Sequence, residues 1–146
     1  MEVADRDPDD HLRSFDDTDV ADTMGRLDAL IVDSMPDRRR VLWQGVFWGG
    51  TDQTIIGYGH IVQPRPRGPD VDWFLVGLAR QKRTYSLYVN AVENGAYLAH
   101  RYADRLGSVK LGAASIGVRS LEQVDTDVLG ELLRHADRIT PPDPAP

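Results

Sequence analysis

The sequence predicts an α+β fold in which an antiparallel sheet of about five strands carries three helices on one face. Eight of the eleven aromatic residues fall between Trp43 and Tyr88, in strand-like segments separated by glycine and proline turns. Segments with helical spacing of apolar residues lie before and after this block. No helix interrupts the strands of the block, so a meander of antiparallel strands is the simplest connection.

The first predicted helix spans residues 20–35. Its apolar residues recur every three or four positions, at Val20, Met24, Leu27, Ile31 and Met35. Asp17 or Thr18 can cap its first amides, and Pro36 ends it. The preceding residues 1–16 are rich in aspartate and poor in apolar side chains, which predicts a disordered leader. After this leader, we predict a single domain that spans residues 17–139.

Four strands are predicted next, at residues 41–48, 54–62, 71–80 and 84–90. Two glycines at 49 and 50 favour a tight turn between the first two strands, and three prolines within 63–69 exclude that segment from a sheet. In the second strand, Gly57 and Gly59 lie on one face. They predict a trough that another backbone, an aromatic ring or a ligand can occupy.

The last part of the domain returns to helical spacing. A second helix is predicted at 96–106, because Leu98, Tyr102 and Leu106 are four residues apart and Gly107 suits a helix end. A short fifth strand at 115–119 and a third helix at 128–135 follow. Residues 140–146 form a proline-rich tail.

Composition excludes several classes of protein. The chain has no cysteine, so disulfides, thiolate metal sites and cysteine nucleophiles are excluded. No apolar run reaches the roughly 18 residues of a membrane span, and no secretory signal opens the sequence, so we expect a cytoplasmic protein without membrane contact. The net charge of -6 equals that of the first 20 residues, with eight acidic and two basic side chains. This acidity argues against a nucleic-acid partner.

Several short segments resemble one known family. They are Met35-Pro36, Leu42-Trp43-Gln44-Gly45, Tyr85-Ser86-Leu87-Tyr88-Val89, Lys110-Leu111-Gly112, Ser115-Ile116-Gly117-Val118 and Leu121-Glu122-Gln123-Val124-Asp125. With these segments, residues 20–136 resemble the YdhG-like domain, a widespread bacterial family mostly of unknown function. The resemblance implies a compact cytoplasmic domain of helices and a sheet.

One branch of that family is described as an intracellular iron chaperone similar to frataxin, so the resemblance also implies an iron carrier as an alternative. Such carriers use exposed carboxylates, because hard cations prefer oxygen ligands. The acidic positions of the first helix here are Asp19, Asp22 and Asp33. Arg26 lies between the last two, and arginines at 38–40 open the first strand, so no continuous acidic ridge is predicted. We therefore predict no cofactor, with iron as the alternative.

The best candidate ligand site combines Trp48, Tyr58 and His60. A sheet with one uncovered face cannot hide three tryptophans, and Trp48 beside the glycine turn is the one we expect to be partly exposed. Tyr58 and His60 lie beside the glycine trough. The simpler interpretation of His60 is a partly buried histidine bonded to a neighbour.

A second candidate site lies where the third and fourth strands meet. Arg80, Lys82, Tyr85 and Tyr88 combine cations with aromatic rings, a mixture that can hold an anionic or planar ligand. The simpler interpretation is a solvated hairpin turn whose tyrosines fill the sheet.

No catalytic motif accompanies these residues. The serines lie outside any G-x-S-x-G pattern, and the histidines lack the spacing of a metal-binding helix. The sequence thus predicts a non-catalytic binding or interaction domain, monomeric or homodimeric, whose partner is a protein or a small molecule. The alternatives are an iron carrier and a protein that binds an anionic small molecule.

Overall fold

The computed structural model describes residues 1–46, 52–64 and 66–145. The chain begins with β1 (Glu2–Val3), α1 (Pro8–Arg13) and α2 (Thr18–Ser34). The strands that follow are β2 (Arg40–Val46), β3 (Asp52–Tyr58), β4 (Ile61–Gln63), β5 (Val71–Trp73), β6 (Val76–Arg80), β7 (Tyr85–Val89), β8 (Val92–Glu93) and β9 (Ala96–Tyr97). A 3-10 helix (Leu98–Arg105), β10 (Lys110–Leu111), β11 (Ser115–Val118), a 3-10 turn (Leu121–Gln123) and α3 (Thr126–Ile139) complete it.

The fold is α+β with antiparallel strand pairs, as predicted. The main sheet has the order β1-β2-β3-β6-β7-β11-β10, and two small sheets pair β4 with β5 and β8 with β9. The prediction of about five strands was wrong, because the main sheet has seven. The two extra strands, β1 and β10, are edge strands of two residues each, too short to show a periodic pattern.

Two of the predicted strands are each divided in the structure. The first is divided at Gly59, which takes a φ of +83° and separates β3 from β4. Phe74 and Leu75 separate β5 from β6. The outer pieces, β4 and β5, leave the main sheet and pair with each other, so that Ile61 lies opposite Trp73.

The first 16 residues, predicted to be a disordered leader, instead contribute β1 and α1. The Ala4 amide donates to the Leu42 carbonyl at 2.7 Å, which continues the pairing of β1 with the edge of β2. His11 is buried in α1, and the Arg40 guanidinium lies 2.6 Å from the Asp9 carboxylate. Arg40 of β2 thus pairs with Asp9, a carboxylate that the composition of the first 16 residues alone assigns to solvent.

The helices cover one face of the sheet. The predicted stripe of the first helix is buried at Met24, Leu27, Ile31 and Met35, and α3 buries Leu129, Leu132, Leu133 and Ala136 against the same core. The second predicted helix differs, because residues 98–105 form a 3-10 helix after the short strand β9. It still buries Leu98 and Ala99.

A second, smaller core lies on the opposite face of the sheet. Trp43, Ile55, Trp73, Phe74 and Ala79 form it, with Ile61 and Val71 of the small β4–β5 sheet packed against it. Both described tryptophans are therefore buried, while Trp48 lies outside the described residues. Within the described part of the chain, no helix is long and apolar enough to cross a membrane.

Candidate functional site

The described residues cover only part of the face opposite the helices. The second core occupies the side over β2, β3 and β6, whereas the side over β7, β11 and β10 carries two neighbouring cavities of about 780 and 540 Å³. Gln81 and Ser115 line both cavities. We call this continuous depression the open-face groove.

Strand alternation decides which side chains line the open-face groove. Tyr88 of β7 is the register partner of both Gly77 in β6 and Ser115 in β11. Leu87 instead pairs with Leu78, and both are fully buried in the core beneath the helices. Neighbours on adjacent strands share a face, so the Tyr88 row faces the groove and the Leu87 row faces the helices.

The centre of the groove is a network of uncharged polar groups around Gln81. The Gln81 side-chain amide nitrogen donates to the Tyr88 hydroxyl at 3.1 Å and to the Gln53 side-chain oxygen Oε1 at 3.4 Å. Its oxygen accepts from the Ser86 hydroxyl at 2.6 Å and from the Thr84 hydroxyl at 3.4 Å. These contacts hold the Gln81 amide in one orientation, with hydroxyls beside it that can also turn toward a ligand.

Aromatic rings form one wall of the larger cavity. Trp73 stacks on Phe74 with ring centroids 4.6 Å apart, and Phe74 meets Tyr88 edge to face at 6.3 Å. Trp73, Tyr88 and Tyr97 line the cavity together with Pro64 and Pro66. Such flat apolar surfaces beside fixed amides suit a ligand that has a ring and polar substituents.

The predicted glycine trough exists only at Gly57, and aromatic rings fill it. A Cβ added to Gly57 would lie 2.6 Å from Trp43 Nε1 and 2.9 Å from Phe74 Cβ. Gly59 instead ends the strand, with Leu75 and Arg38 beside it. Of the occupants that we expected for this trough, the structure selects the aromatic ring.

The smaller cavity adds two cations to the groove. Lys110 of β10 is the register partner of Gly117, which in turn pairs with Ser86. Lys110 therefore lies on the groove face, and Arg119, two residues beyond Gly117, lines the same cavity. Among the described residues that line the two cavities, no side chain is a carboxylate.

The structure separates the predicted site residues. Tyr88 lies in the groove, whereas Tyr85 is buried on the helix face with the Arg80 guanidinium 4.4 Å above its ring. Lys82 is exposed in the turn after β6 and lines neither cavity. Arg80, Lys82, Tyr85 and Tyr88 therefore do not form one site, because adjacent strand residues point to opposite faces.

Tyr58 and His60 are separated in the same way. Tyr58 is buried beneath the helices, where its hydroxyl donates to the Asp28 carboxylate at 2.6 Å. Burial raises the pKa of the Tyr58 phenol well above its usual value, and the neighbouring Asp28 charge adds to the shift. The predicted convergence of Tyr58 with His60 is wrong, since the two side chains have no common cavity among the described residues.

His60 lies at a third cavity of about 410 Å³, which Asp72, Trp43 and the tail residue Pro144 also line. Its Nε2 is 3.1 Å from the Asp72 carboxylate, and its backbone amide donates to Asp143 at 2.8 Å. The side chain is about one-quarter exposed. These contacts match the simpler interpretation of His60 as a partly buried histidine bonded to a neighbour.

The acidic positions of α2 are dispersed. Asp22 forms an ion pair with Arg26 at 2.9 Å, and Asp19 lies in the first turn of the helix, whose N-cap is Asp17. Asp33 is exposed one residue before the helix end. Across residues 1–46, 52–64 and 66–145, no group of three or more acidic or histidine side chains is placed to hold a metal ion.

The groove residues that sequence reasoning missed are Gln53, Gln63, Gln81, Asn90, Ser115, Lys110 and Arg119. Their signal in the sequence is weak, since a polar residue at every second strand position is typical of any solvated sheet face. The pairing of β7 with β11, and of β11 with β10, brings Ser115, Lys110 and Arg119 to the same face as Tyr88.

Comparisons of this chain with family models, with curated proteins and with solved structures found no match. The resemblance to the YdhG-like family therefore stays a prediction.

Proposed function

We propose that this chain is a non-catalytic binding domain that holds a small molecule in the open-face groove. The observation that carries the proposal is the Gln81 network, a set of oriented amides and hydroxyls beside the aromatic wall of a concave surface. Ligand sites of proteins combine these features: a mostly preformed cavity, apolar walls and a few fixed polar groups.

The composition of the groove also supports binding rather than catalysis. Its described lining residues include no imidazole and no carboxylate, the groups that most often act as general acids and bases. The amides of Gln53, Gln81 and Asn90 keep one charge state at all pH values and serve as donors and acceptors.

The proposal includes kinship with the YdhG-like family and a cytoplasmic location. The supporting observations are the family-like segments of the sequence, the absence of cysteine and the α+β order of the chain. A protein partner at the same face is the competing proposal, and the size of the bound molecule distinguishes the two.

The experiment is a screen of a fragment library by NMR on the uniformly ¹⁵N-labelled protein. We expect fragments that bind to shift the side-chain amide signals of Gln53, Gln81 and Asn90. Replacement of Gln81 by alanine removes hydrogen bonds of about 0.5–1.5 kcal/mol each and should weaken binding up to about tenfold. Gln44→Ala is the matched control, because Gln44 is an exposed amide outside the groove, bonded to Thr54 at 3.5 Å.

Fragment shifts that map to other surfaces, or an equal loss of affinity in both variants, would refute this proposal.

A further inference from the structure

We propose that the ligand of the open-face groove carries an anionic group at one end, held by Lys110 and Arg119, and a planar ring at the other, placed against Tyr88. This inference rests on the proposed function and specifies the class of ligand. The class is an aromatic or heterocyclic carboxylate or phosphate.

The first argument is the local balance of charge. The chain has 23 acidic and 17 basic residues, yet the described linings of the two cavities contain Lys110, Arg119 and no acidic side chain. Neither cation belongs to an ion pair with a described carboxylate. A concave site with charges of one sign concentrates the field and attracts small ions of the opposite sign, here anions.

The second argument is the chemistry around the two cations. Ser108, Thr84 and Ser86 line the same cavity as the two cations; the Thr84 and Ser86 hydroxyls donate to Gln81, and Ser108 provides a further hydroxyl. Charge-assisted hydrogen bonds from lysine and arginine to carboxylate or phosphate oxygens are stronger than bonds between neutral groups. Gly117, between Lys110 and Ser86 in the register, has no side chain and leaves space above the sheet.

The third argument is the distance between the two ends. Tyr88 pairs with Ser115 of β11, and Lys110 pairs with Gly117 of the same strand. Two strand spacings of about 4.8 Å and two residues of about 3.4 Å separate the backbones of Tyr88 and Lys110, which gives roughly 12 Å. Tyr88 lines one cavity and Lys110 the other, and Gln81 and Ser115 line both, so a small molecule with one ring system and one anionic substituent can span the two.

The sequence pointed to a different set of cations. Arg80 ends the third predicted strand and covers Tyr85 on the helix face, and Lys82 lies in the turn after it. Lys110 lies in β10 and Arg119 directly follows β11. The pairing of these two strands places both cations at the same cavity.

The test uses matched pairs of probes on the full chain. Each pair differs only in the anionic group: nucleoside 5′-monophosphates against the nucleosides, and indole-3-acetate against indole-3-acetamide. We expect the anionic member of at least one pair to bind about tenfold tighter than its neutral partner by NMR titration. The phosphate and carboxylate arms then show which oxyanion the groove prefers.

Variants that lack the two cations test whether Lys110 and Arg119 cause the preference for the anionic probe. In the double variant Lys110→Gln and Arg119→Gln, the preference for the anionic member should disappear. In the control Lys82→Gln and Arg83→Gln, which removes two exposed cations of the nearby turn, the preference should remain within about twofold. All four residues are exposed, so the variants should fold alike.

Three outcomes decide between this inference and the proposed function. If anionic and neutral probes bind equally and shift the Gln81 amide signal, the groove is a binding site but the anionic class is wrong. The anionic class is also wrong if the double variant keeps the preference. If no fragment or probe shifts the groove amides, both proposals fail.

Discussion

Tyr58 shows how one buried hydrogen bond can give a residue a structural role. Its side chain is 2% exposed and its hydroxyl contacts Asp28, whose carboxylate also lies 3.4 Å from the Arg40 guanidinium. Burial and the Asp28 charge raise the pKa of the phenol, so Tyr58 stays protonated and remains a donor. The phenol therefore stabilises a carboxylate in the core beneath the helices.

We expect Tyr58→Phe to lower the free energy of unfolding by about 1–3 kcal/mol, because a buried carboxylate loses its hydrogen-bond donor. Urea unfolding at pH 7 measures the change. Tyr88→Phe is the matched control, since the Tyr88 hydroxyl accepts from Gln81 on the half-buried groove face. Its cost should stay below about 1 kcal/mol. Equal losses in the two variants would contradict the structural role given to Tyr58.

At the scale of elements, two paired glycines leave the space on the sheet that the aromatic side chains of the second core occupy. Gly57 of β3 lies opposite Gly77 of β6; the Trp43 ring and the Phe74 Cβ pack over Gly57, and the Phe74 ring packs over Gly77. A Cβ added to Gly77 would lie 2.4 Å from Phe74 Cε1 and 2.9 Å from Ile55 Cγ2. These contacts require the buried Ile55 side chain and the buried Phe74 ring to move, and that ring is stacked on Trp73.

Gly77→Ala should therefore destabilise the protein by about 1–3 kcal/mol, as overpacking in a core does. Gly25→Ala makes the same chemical change in the middle of α2, where the added Cβ meets no atom within 4 Å. There, alanine should stabilise the helix by about 0.5–1 kcal/mol. Thermal unfolding followed by circular dichroism compares the two variants, and a stable Gly77→Ala protein would show that the ring packing is loose.

At the scale of the whole molecule, the tail after α3 is bound back onto the sheet. The Arg38 side chain is 4% exposed; it lies 2.7 Å from the Asp137 carboxylate and donates to the carbonyls of Thr140 and Pro141 at 2.8 and 2.6 Å. Asp143 accepts from the backbone amides of Arg39 and His60 at 2.7 and 2.8 Å. The proline-rich segment thus closes the end of β2 and β3.

The contacts of Asp143 predict a dependence on pH. Burial alone raises the pKa of its carboxyl, but the hydrogen bonds from Arg39, His60 and Arg38 outweigh burial and lower the pKa below its usual value. A lowered pKa in the folded state stabilises the fold above the ordinary aspartate value of about 3.9, and this stabilisation is lost as the pH falls.

We expect Asp143→Asn to be about 1 kcal/mol less stable than the parent at pH 7, and this gap to shrink as the pH falls below about 4. Urea unfolding at pH 7, 5 and 3 measures it. Asp104→Asn, at an exposed position, should show no gap at any of these values. A gap for Asp143→Asn that is constant with pH would mean that its carboxylate charge does not hold the tail.

Periodicity alone predicted the parts of the fold that repeat a local pattern. The stripe of α2 and the position of α3 follow from spacing, because each such helix must bury one face. The leader was wrongly predicted as disordered, since its pairing with β2 and its contact with Arg40 depend on residues far along the chain.

The amino-acid sequence by itself determined the α+β class, the helices at 18–34 and 126–139 and the antiparallel character of the strands, because these depend on local spacing and turns. Only the tertiary structure decided which face each site residue occupies and which polar groups meet in the groove. Strand order and register are set by contacts between distant segments, and a step of one residue sends a side chain to the opposite face. Tyr85 therefore lies in the core, while Tyr88 lies in the open-face groove.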